Sequence, residues 1–135
     1  MDQHAGGCLC GAVRFQAKGP LRDVVYCHCS QCRRQTGLYY AATSVPTGAL
    51  QVTGTVTWYA ASPHALRGFC GTCGAALFWV LNGGETISIL AGGFDQPSVL
   101  RGGLHIMVAD KADFYAITDG LPQWPGGAPG VETAV

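Results

Sequence analysis

The sequence Phe69-Cys70-Gly71-Thr72-Cys73-Gly74 joins two apolar runs, at residues 66–69 and 75–80. Two cysteines separated by two residues on a glycine-containing turn form a knuckle that can present both sulfurs to one metal ion. Glycine suits such a turn because the backbone must bend around the ion and leave its N–H groups facing sulfur. The stretch therefore predicts a β-hairpin with a Cys-x-x-Cys tip, whose cysteines we call the hairpin pair.

The other five of the seven cysteines form two further clusters. Cys8 and Cys10, the N-terminal pair, flank a leucine on another glycine-rich turn, and Cys27, Cys29 and Cys32, the triplet, follow a short strand. An odd number cannot pair completely, and neighbours this close would be strained as disulfides. Thiols that pack only as small hydrophobes would not explain three tight clusters on turns. The pattern is typical of zinc bound by thiolates.

Spacing alone leaves two divisions of these cysteines open. In the first, the N-terminal pair and the hairpin pair form a closed, structural four-sulfur site. The triplet then supplies three ligands and leaves a fourth position open, as in a reactive zinc centre. In the second, Cys29 and Cys32 join the hairpin pair in a zinc ribbon, and Cys27 remains with the N-terminal pair.

The rest of the chain favours strands over helices. Short runs rich in β-branched and aromatic residues, such as 50–53 and 55–59, are separated by turns, and glycine accounts for 20 of the 135 residues. We predict one short helical segment, capped by Ser30 and ended by Gly37. The chain is expected to form one mainly β zinc domain over residues 1–124, followed by a flexible Gly/Pro-rich tail over residues 125–135.

The charge balance limits the classes of partner. Lys and Arg together number 8, and so do Asp and Glu, so the formal net charge is zero. A general nucleic-acid or anionic-membrane binder would carry a basic excess. No apolar run approaches the about 18 residues of a membrane span, and the N-terminus has no signal-peptide pattern. We therefore expect a cytoplasmic protein, with reduced thiols, that binds neither nucleic acid nor membrane.

Three stretches carry a resemblance to a known family. They are residues 7–15 (GCLCGAVRF), 27–37 (CHCSQCRRQTG) and 69–74 (FCGTCG), and the later residues His105, Lys111 and Leu121-Pro122 fit the same order. From about residue 5 to residue 124, the chain resembles the glutathione-dependent formaldehyde-activating enzyme (GFA) family, also called the centromere protein V family. The resemblance implies an Mss4-like β-tent, built from short antiparallel strands around zinc knuckles.

The same resemblance implies the first division of the cysteines and two zinc ions per chain. Cys8, Cys10, Cys70 and Cys73 would bind the structural zinc, and Cys27, Cys29 and Cys32 the catalytic zinc. The implied activity is carbon–sulfur lyase chemistry on thiol–aldehyde adducts, with glutathione and formaldehyde as substrates of S-(hydroxymethyl)glutathione synthesis. The alternative is a non-enzymatic zinc-scaffolded module that binds another protein.

Several other side chains have both a functional and a structural interpretation. Arg33 and Arg34 could bind a substrate carboxylate and offset the thiolates, or form surface salt bridges. His28 is expected beside the metal ligands or on the surface, because strand alternation points it away from Cys27 and Cys29. His105 could act directly in the reaction at the catalytic zinc, but we do not expect this role. The aromatic residues that could line a pocket, but are more typical of a core, are Tyr39, Tyr40, Trp58, Phe78 and Trp79.

Overall fold

Ten short strands and one short helix account for most of the regular structure in residues 2–133, the part of the chain that the computed structural model describes. The strands are β1 Gln3–Gly7, β2 Arg14–Lys18, β3 Val24–Cys27, β4 Tyr40–Pro46, β5 Leu50–Thr53, β6 Val56–Ala60, β7 Ala65–Cys70, β8 Ala76–Leu81, β9 Thr86–Leu90 and β10 Gly102–Ile106. The helix α1 is Ser30–Thr36. The predicted mainly β class is confirmed.

The strands form two sheets. The smaller sheet has the order β1-β2-β5, and the larger has the order β10-β3-β4-β9-β8-β7-β6. The paired strands are antiparallel with one exception, because β10 runs parallel to β3. The fold is consistent with the predicted β-tent, but one of its pairings is not antiparallel.

The main core lies where the two sheets face each other. Phe15 on β2 contacts Phe78 on β8 edge-to-face, with ring centroids 5.8 Å apart, and it contacts Phe94 in the same manner at 5.2 Å. The three rings are almost fully buried. Burial of large apolar side chains supplies most of the favourable free energy of folding, so this contact ties the small sheet to the large one.

The predicted hairpin is confirmed. Strands β7 and β8 pair in antiparallel register from Ala65 opposite Leu81 to Phe69 opposite Ala76, and the hairpin pair lies at the turn. Strand β1 was not predicted. It carries two adjacent glycines, which have low strand propensity, and it forms through its pairing with β2.

Helix α1 ends as predicted and begins differently. Gly37 caps its C-terminus with a φ of 86°, a left-handed conformation that glycine adopts readily. At the N-terminus the predicted cap, Ser30, is wrong: the capping residue is Cys29, whose sulfur accepts a hydrogen bond from the amide of Cys32 at 3.4 Å. None of the helices in residues 2–133 is long and apolar enough to cross a bilayer.

The C-terminal segment packs against the domain as far as residue 133. The amide of Met107 donates to the carbonyl of Gly126 at 2.8 Å. Ala128 is buried in a small apolar cluster with Val25 and Ile106. Thr86 donates a hydrogen bond to Glu132. Residues 125–133 of the predicted flexible tail therefore make contacts with the rest of the domain, and residues 134 and 135 lie outside the described part of the chain. The division of the chain at residue 124 stays a prediction.

Candidate metal centres and active site

The N-terminal pair and the hairpin pair meet in one four-sulfur cluster. Their sulfur atoms all lie within 4.8 Å of one another, although the pairs are about sixty residues apart in the chain. Gly11 and Gly74 have φ values of 83° and 78°, and these left-handed turns let each knuckle fold back on itself. The second division of the cysteines, the zinc ribbon, is not the arrangement found.

The geometry of this cluster fits zinc. The Cys10 sulfur lies 3.7 Å from the Cys8 sulfur and 3.8 Å from the Cys70 sulfur. Four sulfurs that surround one zinc ion tetrahedrally at about 2.3 Å are about 3.8 Å apart. The backbone also favours the thiolate form, because the amide of Val13 donates to the Cys8 sulfur at 3.2 Å and lowers the pKa of that thiol to about 6.

The triplet forms a separate cluster at the junction of strand β3 and helix α1. Cys27 ends the strand, Cys29 caps the helix and Cys32 lies buried in its first turn, and their three sulfurs lie within 4.8 Å of one another. Hydrogen bonds with Cys27 and Cys32 hold the pKa of Cys29 far below its ordinary value, whereas hydrogen bonds with Cys29 and Cys32 raise the pKa of Cys27. The lowered pKa of Cys29 favours its thiolate, which is the metal-binding form of cysteine.

A cavity of about 430 Å³ borders the triplet. All three triplet cysteines line it, and none of the cysteines of the four-sulfur cluster does. Its other walls combine apolar side chains with polar ones. The main contributors are Arg22, Tyr40, Arg67, Trp79, Ile106 and Met107. The volume lies within the range of small-molecule sites, so a ligand in this cavity would contact the triplet and not the four-sulfur cluster.

A buried arginine lies against the triplet. Arg67 on β7 is 5% exposed, and its Nη2 lies 3.5 Å from the Cys32 sulfur. The same guanidinium donates to the side-chain carbonyl oxygens of Gln35 at 2.8 Å and Gln31 at 3.4 Å, both on helix α1. Burial opposes its charge, but the adjacent sulfur of Cys32 more than compensates and raises the pKa of Arg67 above its ordinary value. Arg67 therefore remains a cation and fastens the helix of Cys32 to the large sheet.

His28 lies between two triplet cysteines but faces the opposite side, where it is 1% exposed. Its Nδ1 lies 2.5 Å from the hydroxyl of Tyr115, and its Nε2 lies 2.8 Å from Nδ1 of His105. Nε2 of His105 in turn lies 2.8 Å from a carboxylate oxygen of Asp119. The hydrogen bonds are complete when both rings are neutral: the Tyr115 hydroxyl donates to His28, His28 donates to His105, and His105 donates to the Asp119 carboxylate.

This chain of hydrogen bonds fixes the backbone on which the triplet is built. Burial lowers the pKa of His28 to about 4, which keeps its ring neutral. A surface position for His28 is therefore wrong, because the ring is buried. Its neighbours in the chain, Cys27 and Cys29, belong to the triplet. These hydrogen bonds connect the residue between two triplet cysteines to the segment that follows strand β10.

Only some of the remaining candidates from the sequence line the cavity. Tyr40 and Trp79 line the cavity, whereas Phe78 is in the core and Trp58 is 42% exposed. Within residues 2–133, neither Arg33 nor Arg34 lines the cavity.

The arginines that do line the cavity, Arg22 and Arg67, were not identified from the sequence. A signal existed for Arg67: it is the one charged residue in the apolar run that enters the Cys-x-x-Cys turn. Met107, another cavity residue, is the single non-glycine residue with a positive φ, 55°, in the described part of the chain. Such backbone conformations are more frequent at functional sites.

Comparison with known proteins identifies relatives of the whole domain. The family model described as glutathione-dependent formaldehyde-activating enzyme matches residues 3–110. A protein of Schizosaccharomyces pombe, named as an uncharacterized lyase, is 29% identical over 119 residues, which is 85% of each chain. A crystal structure of a Rhodobacter sphaeroides protein superimposes with a TM-score of 0.56 at 23% identity, over 89% of this chain and 98% of the other. This last likeness shows a shared fold.

Proposed function

Because this chain belongs to the glutathione-dependent formaldehyde-activating enzyme family, we propose that it is a zinc-dependent carbon–sulfur lyase-type enzyme that acts on thiol–aldehyde adducts. Its substrates would be a small thiol such as glutathione and an aldehyde such as formaldehyde. The name of the yeast relative supports lyase-type chemistry. The proposal places this chemistry in the cytoplasm, where glutathione keeps protein thiols reduced.

One observation carries the proposal: the cysteine cluster with three sulfurs is the one that borders the cavity. Three protein ligands leave room in a tetrahedral zinc site for a fourth ligand from solution, and four do not. The cavity supplies the space that such a ligand would occupy.

The donor sets suit zinc in both clusters, since every ligand is a cysteine sulfur. We assign Cys8, Cys10, Cys70 and Cys73 to a structural zinc, and Cys27, Cys29 and Cys32 to a catalytic one. When bound by the triplet, zinc would supply a Lewis-acidic position at which an incoming thiol loses its proton.

The proposed reaction joins the two substrates without oxidation or reduction. A bond forms between the thiolate sulfur and the aldehyde carbon, and the carbonyl π bond breaks, with its electron pair moving to oxygen. The proton that the thiol released returns to that oxygen, and cleavage of the adduct is the reverse. The cavity would hold both reactants together, which converts an encounter in solution into a reaction between neighbours.

Arg67 would set the charge of this site. Three thiolates and one Zn²⁺ sum to −1, and the guanidinium beside Cys32 brings the total to zero. A neutral centre binds a further thiolate more readily than an anionic one, because like charges in a partly buried site repel strongly. The role of Arg33 and Arg34 in anchoring a substrate carboxylate stays a prediction, and it requires the substrate to extend beyond the cavity toward helix α1.

The test is exchange spectroscopy by NMR on glutathione and formaldehyde at equilibrium, with and without zinc-loaded protein. We expect exchange between free glutathione and S-(hydroxymethyl)glutathione to be faster with the protein, and the increase to disappear in Cys29→Ser. Zinc content should fall from two ions per chain to one in this variant while the fold persists. A rate equal to the uncatalysed background, for a panel of thiols and aldehydes, would contradict the enzyme and favour the protein-binding module.

A further inference from the structure

Two buried polar atoms beside the triplet have no hydrogen-bond partner among the described residues. They are the hydroxyl oxygen of Tyr40 and Nε of Arg67. Tyr40 is 4% exposed and Arg67 5% exposed, and both residues line the cavity. A buried polar group without a partner costs free energy, so such groups are rare in folded proteins and point to a role with a ligand.

The two residues that carry these unpartnered atoms lie close to each other and to the triplet. The guanidinium carbon of Arg67 is 5.2 Å from the centre of the Tyr40 ring. Another nitrogen of the same guanidinium is 3.5 Å from the Cys32 sulfur. Tyr40 is also the cross-strand partner of Cys27 in the pairing of β3 with β4. A group that bound to both would therefore lie next to a ligand held at the triplet.

The chemistry of these groups selects an oxygen acceptor. Nε of arginine can only donate a hydrogen bond, and the tyrosine hydroxyl donates through its proton. In the proposed reaction, the hydrogen-bond acceptor nearest the reacting sulfur is the aldehyde oxygen, which gains negative charge as the sulfur–carbon bond forms. Donors fixed in place before the reaction stabilise such developing charge.

We propose that Tyr40 and Arg67 form a two-donor site for the oxygen of the thiol–aldehyde adduct. The inference rests on the proposed function and adds two catalytic residues to it. As the carbonyl π electrons move to oxygen, the Tyr40 hydroxyl and the Arg67 Nε–H would each donate a hydrogen bond to that oxygen, and neither would lose its proton. The site therefore prefers ligands that carry an oxygen one carbon away from sulfur.

Binding of two small thiols tests this site without turnover. Thioacetate has an oxygen one carbon from sulfur, as the adduct does, and ethanethiol has none. Titration calorimetry on zinc-loaded protein would give the affinity of each. We expect Tyr40→Phe to weaken thioacetate binding about tenfold and to leave ethanethiol binding unchanged. Tyr39→Phe is the matched control, because Tyr39 is the adjacent tyrosine and does not line the cavity. It should change neither affinity.

Stability provides a second measurement on the same variant. Because the Tyr40 hydroxyl is buried without a partner, Tyr40→Phe should melt at the same temperature as the wild type or higher in the absence of thiol. Loss of thioacetate affinity in a variant that is no less stable separates a ligand contact from a structural role.

Two outcomes would overturn the proposal: Tyr40→Phe weakens the binding of thioacetate and of ethanethiol equally, or it weakens the binding of neither. The result is independent of the exchange experiment. If Tyr40→Phe selectively loses thioacetate affinity and the wild-type protein shows no exchange activity, the two-donor site is supported and the proposed reaction is contradicted. If the protein shows exchange activity but Tyr40→Phe does not selectively weaken thioacetate binding, the reaction is supported and the two-donor site is contradicted.

Discussion

The guanidinium of Arg67 lies 3.5 Å from the sulfur of Cys32, although 35 residues separate the two in the chain. The contact joins strand β7 to helix α1 and brings a buried positive charge to the cluster that borders the cavity. In the proposed zinc site the triplet would bind metal through thiolates, so this contact should influence metal affinity as well as packing.

Replacement of Arg67 should weaken zinc binding by the triplet. Arg67→Leu removes the charge that offsets the thiolates, and it leaves the Gln31 and Gln35 carbonyls without their donor. We expect the affinity of the second zinc to fall about 10- to 100-fold, the usual range for loss of a partner to a metal ligand. Competition with a chromophoric chelator measures this, and Arg67→Lys, which keeps the charge, should lose less.

The control for this experiment is Arg101→Leu, since Arg101 is exposed and does not line the cavity. Zinc binding should be unchanged in this variant. Equal zinc affinities in Arg67→Leu and Arg101→Leu would contradict a role for the Arg67–Cys32 contact in metal binding.

The two cysteine clusters should differ in what their loss does to the protein. Cys10→Ser opens the four-sulfur cluster, and because structural zinc binding contributes several kcal/mol or more to folding, we expect extensive unfolding. Cys27→Ser should leave a folded protein that binds one zinc instead of two. Circular dichroism and zinc content per chain report both properties on the same samples. A folded Cys10→Ser together with an unfolded Cys27→Ser would reverse the assignment.

The sequence predicts most of the local structure because its signals are local. Cysteine spacing, glycine at the knuckle turns and β-branched runs gave the hairpin and most of the strands. Arg67 was missed because its role arises from a contact across 35 residues, which no local pattern encodes. The grouping of the cysteines likewise depends on how the two sheets pack, so spacing left it open.

His28 shows a different limit. The alternation argument requires residues 27–29 to form a strand, but strand β3 ends at Cys27 and Cys29 already caps helix α1. His28 therefore lies between the strand and the helix, outside both, and its ring points into the protein to form a hydrogen bond with His105. The prediction that it faces away from the cysteines is correct, and its burial follows from the partners that the later segment brings.

His28→Ala should destabilise the protein more than a histidine replacement elsewhere. The change leaves a cavity and removes the hydrogen-bond partner of both Tyr115 and His105. We expect a loss of about 2–4 kcal/mol in the free energy of unfolding, measured by urea denaturation of zinc-loaded protein. His64→Ala is the matched control, because His64 is exposed, and it should change stability by less than about 0.5 kcal/mol. Similar losses in both variants would show that the hydrogen-bonded chain does not stabilise the fold.

A charge at position 128 tests whether the C-terminal segment is packed. Ala128 is 8% exposed within an apolar cluster that includes Val25 and Met107, whereas Ala116 is exposed. Ala128→Asp would bury a carboxylate without a partner, so we expect the segment to detach at a cost of about 1–3 kcal/mol in stability, and Ala116→Asp to cost little.

Hydrogen exchange locates the effect of this substitution. The Met107 amide is bonded to the carbonyl of Gly126, so it should be protected in the wild type and in Ala116→Asp, and it should exchange faster in Ala128→Asp. If the segment were instead the free tail that its Gly/Pro content suggests, the Met107 amide would exchange rapidly in all three proteins and Ala128→Asp would be as stable as Ala116→Asp. Because Pro125, Gly126 and Met107 also line the cavity, detachment should widen the site and weaken thiol binding in the same variant.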